Sequence, residues 1–143
     1  MFSSFMKAGE KVAAAGATQY VIDHFHPARL INLGTCGGVE GRVQRFDVVA
    51  VEKVVIYDIA EAMGDSKAAI AEYSTSLPLP ARLPAPVVKA TMYSADRDLT
   101  STGLREIDGL YHPAVVDWES GAIAWIATKT VRRCSSCAVS LTW

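Results

Sequence analysis

Cysteine is scarce in this 143-residue chain, and a strong charge of either sign is missing. Three cysteines, an odd number, argue against a disulfide framework. A formal net charge of -1 gives no electrostatic reason to expect nucleic acid or an acidic membrane as a partner. No apolar run approaches the roughly 20 residues that span a bilayer. Met1 to Lys7 lacks the charged region and long apolar stretch of a signal peptide. The cytosol is therefore the expected compartment. What remains is ordinary globular composition, half of it hydrophobic. A chain of this length buries about 68–70% of its unfolded surface, enough for one domain with a real core.

Helical spacing of Val12, Ala14, Ala15, Ala17, Val21, Ile22 and Phe25 predicts a helix over residues 10–25. His26-Pro27 ends it, because proline disfavours helix in the residue before it. Arg29 to Leu33 reads as a strand running into the turn Gly34-Thr35-Cys36-Gly37-Gly38. Val48 to Ile56 is a β-branched strand, with a bend expected at Glu52-Lys53. Residues 60–86 hold Pro78, Pro80, Pro84 and Pro86 and read mostly as loop. Val87 to Ser94 and Ala114 to Val116 are further strands, and Glu119 to Lys129 is a helix. Strands alternating with helices predict an α/β sheet with helices on its faces.

Two segments point to chemistry. A glycine-rich turn at a strand end lets backbone N–H groups converge on an anion or a sugar, and sheet ligands sit at such ends. The same turn could simply close a strand. The helix from 119 has no polar stripe, so it is buried, and Gly121, Ala122 and Ala124 let it press on the sheet. Asp117 and Glu119 open it, and the plain reading of both is helix capping. The functional reading is an acid at the mouth of a site, accepting hydrogen bonds from a ribose diol. Asp96-Arg97-Asp98 could equally be a self-paired surface turn. His24, His26 and His112 have no evident partners and read as structural. Cys134-Ser135-Ser136-Cys137 has C-x-x-C spacing, but nothing nearby completes a zinc tetrahedron, and no strand-to-helix start favours a redox pair. No metal site is expected.

Together, three stretches resemble the purine and uridine phosphorylase superfamily, which includes methylthioadenosine nucleosidases. They are Asn32 to Gly38, Ser94 to Leu99, and Val116 to Ala124; Gly9 to Ala15 resembles the helix before the first. The resemblance implies a three-layer αβα phosphorylase/hydrolase-like fold with a central mixed sheet, incomplete here, and assembly as a homo-oligomer. It implies cleavage of an N-glycosidic bond in a small-molecule nucleoside, with no cofactor and with water or phosphate as co-substrate. By that resemblance Glu119 binds the ribose hydroxyls, Trp118 lies along the nucleoside, and neighbouring Asp117 belongs to the same substrate-binding segment. Thr35, Cys36 and Gly37 line the sugar and the phosphate or water, and Asp98 and Leu99 flank the base.

The chain departs from that pattern at both ends. It starts too late for the family's first strand and phosphate loop, and Glu10 stands where the family has a glycine. Residues 1–130 form a partial domain on this reading, and residues 131–143 an atypical tail, not a core strand, without the family's catalytic aspartate. Reading the back-translated tail two bases later from Arg132 restores an apolar run followed by a codon pattern allowing Arg-Gly-Val-Ser-Asp. A frameshift is the expected origin, and a non-catalytic nucleoside-binding remnant is the alternative to an enzyme.

Overall fold

A computed structural model describes residues 9–83, 86–130 and 134–142. The leader reading at Met1 to Lys7, the proline at Pro84 and the frame boundary at Arg132-Arg133 lie outside the described residues. In chain order the elements are α1 (Lys11–Phe25), β1 (Leu30–Gly38), β2 (Val48–Ile56), α2 (Ser66–Tyr73), β3 (Thr75–Ser76), β4 (Val88–Ser94), α3 (Ser101–Tyr111), β5 (Val115–Asp117), α4 (Ser120–Thr130) and β6 (Cys134–Thr142). The strands form one mixed sheet in the order β3-β2-β4-β5-β1-β6, closed by a further β2–β6 pairing. β2, β4 and β5 run parallel, whereas β1 and β6 run parallel to each other and antiparallel to those three. The expected central mixed sheet is present.

Strand alternation sorts the core. Val49, Val51, Val54, Ala90, Met92, Val115, Cys36 and Ala138 face Ala124 and Ala127 of α4, and α1 packs behind α4. On the other face Val55, Tyr57, Tyr93 and Ala95 meet Ile70 of α2 and Ile107 of α3. Val51 and Val54 share a face because the β2–β4 register shifts between Val51 and Lys53, where Glu52 is the extra residue. This is the bend expected at Glu52-Lys53. α4 presses on the sheet through Gly121, where a Cβ would lie 2.5 Å from Ile56 Cγ1 and 3.0 Å from Ser94 Cβ.

Four expectations are corrected. The 60–86 region is mostly loop but also holds α2 and β3, since Asp65 caps α2 by accepting from the Lys67 and Ala68 N–H groups. α3 was unannounced; its signals are the Thr100 cap and the spacing Leu104, Ile107, Tyr111. Residues 34–38 are not a turn but the second half of β1, paired with β6 as far as Gly38↔Thr142. The described glycine at positive φ is Gly41, just beyond the strand.

The tail is the fourth correction. Residues 134–142 form β6, paired with β1 along its whole length and with β2 at Val48 to Val51. Buried Cys134, Ser136, Ala138 and Ser140 line its inward face, all of them small side chains where α4 lies close. The C-x-x-C spacing falls within this strand and not at the helix start a redox pair uses. Burial pushes the Cys134 thiol up to about 11, far from a reactive thiolate.

Candidate active site

The parallel strands β2, β4 and β5 end at one edge of the sheet, and their ladder is prolonged by Tyr57 N–H to Ser94 O (3.3 Å) and Ala95 N–H to Asp117 O (3.1 Å). That edge therefore carries Asp58, Asp96 and Asp98, and the Asp117-Trp118-Glu119 segment that opens α4. Carboxyl ends of parallel strands are where α/β sheets, open or closed, bind ligands.

Asp117 caps α4, accepting the Ser120 N–H at Oδ2 (3.0 Å). Burial raises its pKa from 3.8 to about 6; the Ser120 and Ser94 hydroxyls offset part of that, and nearby Glu119 adds to it. Neither Asp117 Oδ1 nor Ser94 Oγ closes a well-shaped hydrogen bond among the described residues. Cys36 lies beside Asp117, and burial with that neighbouring charge raises its thiol to about 11. Gly37 pairs with Val116. Thr35 points the other way along the strand and is exposed. Asn32 Nδ2 donates to Ser120 Oγ (3.0 Å) and Ser136 Oγ (3.2 Å), tying β1, α4 and β6 together behind the edge.

Glu119 is half-buried, and its Oε1 accepts the Glu10 N–H at 3.3 Å. A carboxylate offers about four lone-pair sites, so capacity for two hydroxyls remains. Trp118 is half-buried beside it. Asp98 is exposed on the loop after β4, and Leu99 packs against the α3-side core. Asp96-Arg97-Asp98 is not a self-paired turn. Asp96 Oδ1 accepts the Lys11 N–H (2.9 Å), and Arg97 lies over the Tyr57 ring, 5.4 Å from its centroid.

Sequence reading missed Lys11 and Asp58. Lys11 Nζ donates to Asp58 Oδ1 (2.5 Å) and Oδ2 (2.7 Å), and Asp58 Oδ2 also accepts the Asp96 N–H (2.9 Å). A signal did exist, because a lysine in the first turn of a helix opposes the dipole and needs a specific partner. His26 and His112 close α1 and α3 in the left-handed conformation, donating N–H to Ile22 O and Asp108 O. An open depression of about 230 Å³ between β3 and α4, lined by Glu72, Trp125 and Lys129 among others, holds none of the site residues. Among the described residues, no group of three His, Cys, Asp or Glu side chains could hold a metal ion. None of the described helices is long and apolar enough to cross a membrane.

Residues 9–125 match the family model of the phosphorylase superfamily. The chain belongs to this superfamily. A 5′-methylthioadenosine/S-adenosylhomocysteine nucleosidase of Marinomonas sp. (strain MWYL1) is 29% identical over 134 residues, covering 83% of the chain and 58% of that relative. A protein of the same name from Psychromonas ingrahamii is 34% identical over 101 residues, covering 70% of the chain and 41% of the relative. The chain thus spans about half the length of these curated relatives. In fold it is similar to apo 5′-methylthioadenosine nucleosidase of Arabidopsis thaliana, with TM-score 0.77, 18% identity and coverage of 96% of the chain and 57% of that structure. The matched residues include the Asp117 to Glu119 segment.

Proposed function

We propose that this superfamily member cleaves the N-glycosidic bond of a purine-type nucleoside of the methylthioadenosine class. One observation carries the reading: Glu119 stands half-buried at the carboxyl edge of three parallel strands, with acceptor capacity left for a ribose diol. The names of the curated relatives supply the substrate class. Attack at C1′ by water or phosphate passes through an oxocarbenium-like state, so holding the sugar and letting the leaving base take a proton are the two tasks. Glu119 would perform the first; Trp118 would lie along the nucleoside, Thr35, Cys36 and Gly37 would line the sugar and the phosphate or water, Asp117 would belong to the same substrate-binding segment, and Asp98 and Leu99 would lie beside the base. No cofactor is proposed. A cytosolic homo-oligomer completes the reading.

The test is release of free base from methylthioadenosine and other purine nucleosides, with and without phosphate. Phosphate-independent release is expected, and Glu119→Ala should reduce it by about a hundredfold, the cost of a misplaced sugar. Release unaffected by Glu119→Ala overturns the site assignment, and binding without release identifies a non-catalytic remnant.

The frame of the last residues is a second proposal, favoured by the inward face of β6. A strand paired on both sides buries Ser136, which accepts from Asn32 Nδ2, and Ser140, whose Oγ finds no partner among the described residues. Such polar, undersized filling conflicts with a core position. Sequencing the gene with its downstream flank decides it, and a flank without a family-like continuation overturns it.

A further inference from the structure

We propose that Lys11 is a positioning residue for the nucleoside site, holding the start of α1 and the Asp96 to Leu99 segment in place through Asp58 and Asp96. The inference rests on the reading above for its ligand, but not for its geometry. Lys11 Nζ contacts both oxygens of Asp58 and lies 3.7 Å from Asp96 Oδ2. The Lys11 and Asp58 side chains are only 17% and 19% exposed, so this pair is poorly screened and unlike a surface bridge. Two main-chain bonds close the ring: Asp96 N–H to Asp58 Oδ2, and Lys11 N–H to Asp96 Oδ1, both 2.9 Å. Three residues from the start of α1 and from just beyond β2 and β4 thereby fix one another.

Glu10 extends the clamp to a further element. Its N–H reaches Glu119 Oε1, so the peptide preceding Lys11 is docked on the proposed ribose acid. Glu10 holds φ 64° and ψ 158°, a region that only glycine enters without strain. Strain of this kind persists where the surroundings over-determine the backbone, and here the Lys11 ring is what pins it. With the Lys11 charge removed, Asp58 and Asp96 repel each other. The start of α1 is then free to relax, moving the Glu10 N–H off Glu119 and loosening the Asp96 to Leu99 loop. Both changes fall on groups proposed to touch the nucleoside, and neither needs Lys11 to touch it.

The test compares the full chain with Lys11→Met, which keeps the apolar stem, and Lys11→Arg, which restores a charge able to bridge both Asp58 oxygens. Two readouts are taken: KM and kcat for base release from methylthioadenosine, and amide hydrogen exchange of Asp96 without nucleoside. Lys11→Met is expected to raise KM between about ten- and a hundredfold with a smaller change in kcat. It should also speed Asp96 exchange about tenfold, and Lys11→Arg should reverse most of both effects. A lower melting temperature with unchanged KM and unchanged Asp96 exchange would show a merely structural lysine and overturn the proposal. If the wild-type chain releases no base, the nucleosidase reading fails on its own. The exchange arm still decides the clamp: unchanged Asp96 exchange in Lys11→Met overturns it, and faster exchange rescued by Lys11→Arg upholds it.

Discussion

Gly121 meets Ile56 and Ser94 so closely that any side chain there must push α4 off the ends of β2 and β4. Neither neighbour is a flexible chain end, so Gly121→Ala is expected to cost about 1–3 kcal/mol despite alanine's better helix propensity. Thermal melting checks it at roughly 4 °C per kcal/mol, and an unchanged or higher Tm would refute the close approach. Glu10 presents the opposite case. Releasing its strained φ by Glu10→Gly returns about 1–3 kcal/mol, against roughly 0.5–1 kcal/mol for glycine's extra freedom in the unfolded chain. A net gain near 1 kcal/mol is expected by the same measurement. Asp117 supplies a pH dependence. Its folded pKa of about 6 lies above the ordinary 3.8, so its favourable contribution is complete below that value and is lost as pH rises through about 6. The loss amounts to roughly 3 kcal/mol. Asp117→Asn keeps an acceptor for the Ser120 N–H, so it should stabilise the protein at pH 8 by that order and change little at pH 3. Urea melts at the two pH values decide it; the same effect at both would refute the buried-charge account.

The placing of β6 between β1 and β2 makes residues 134–142 structural despite their unpromising composition. A chain ending at Thr130 would expose unpaired edges on both neighbours and lose buried Cys134 and Ala138. It is expected to be recovered insoluble or without a cooperative melt; a soluble, cooperatively melting product would contradict the pairing. Other elements were largely readable. α1, β2, β4 and α4 stand out because their patterns are long and locally consistent: alanine-rich periodicity, β-branched runs, an apolar helix entered through acids. α2 was hidden among prolines, and its Asp65 cap was the cue. β6 was unreadable because Ser and Cys at five of its nine positions carry no strong strand preference, so pairing with β1 and β2 decides it.

Among the described residues, one sheet face across β1 and β6 carries apolar side chains with no helix over them: Ile31 is 56% exposed and Leu33 67%, with Leu141 and nearby Phe46 also in solvent. Such a patch binds amphipathic dyes and favours association. Leu33→Lys should lower anilinonaphthalene-sulfonate fluorescence without lowering Tm, and unchanged fluorescence would mean the face is covered in solution. At this scale the division of information is clear. The sequence alone determined the α/β alternation, the bulged β2, the close seat at Gly121 and the acidic start of α4, because each follows from local sterics or periodicity. Tertiary structure decided the rest. The glycine-rich run became strand because β6 lies beside it, Cys36 came to Asp117 through antiparallel pairing, and Lys11 met Asp58 and Asp96 across 47 and 85 residues of chain. Contacts between distant segments depend on strand order and register, which no local preference encodes.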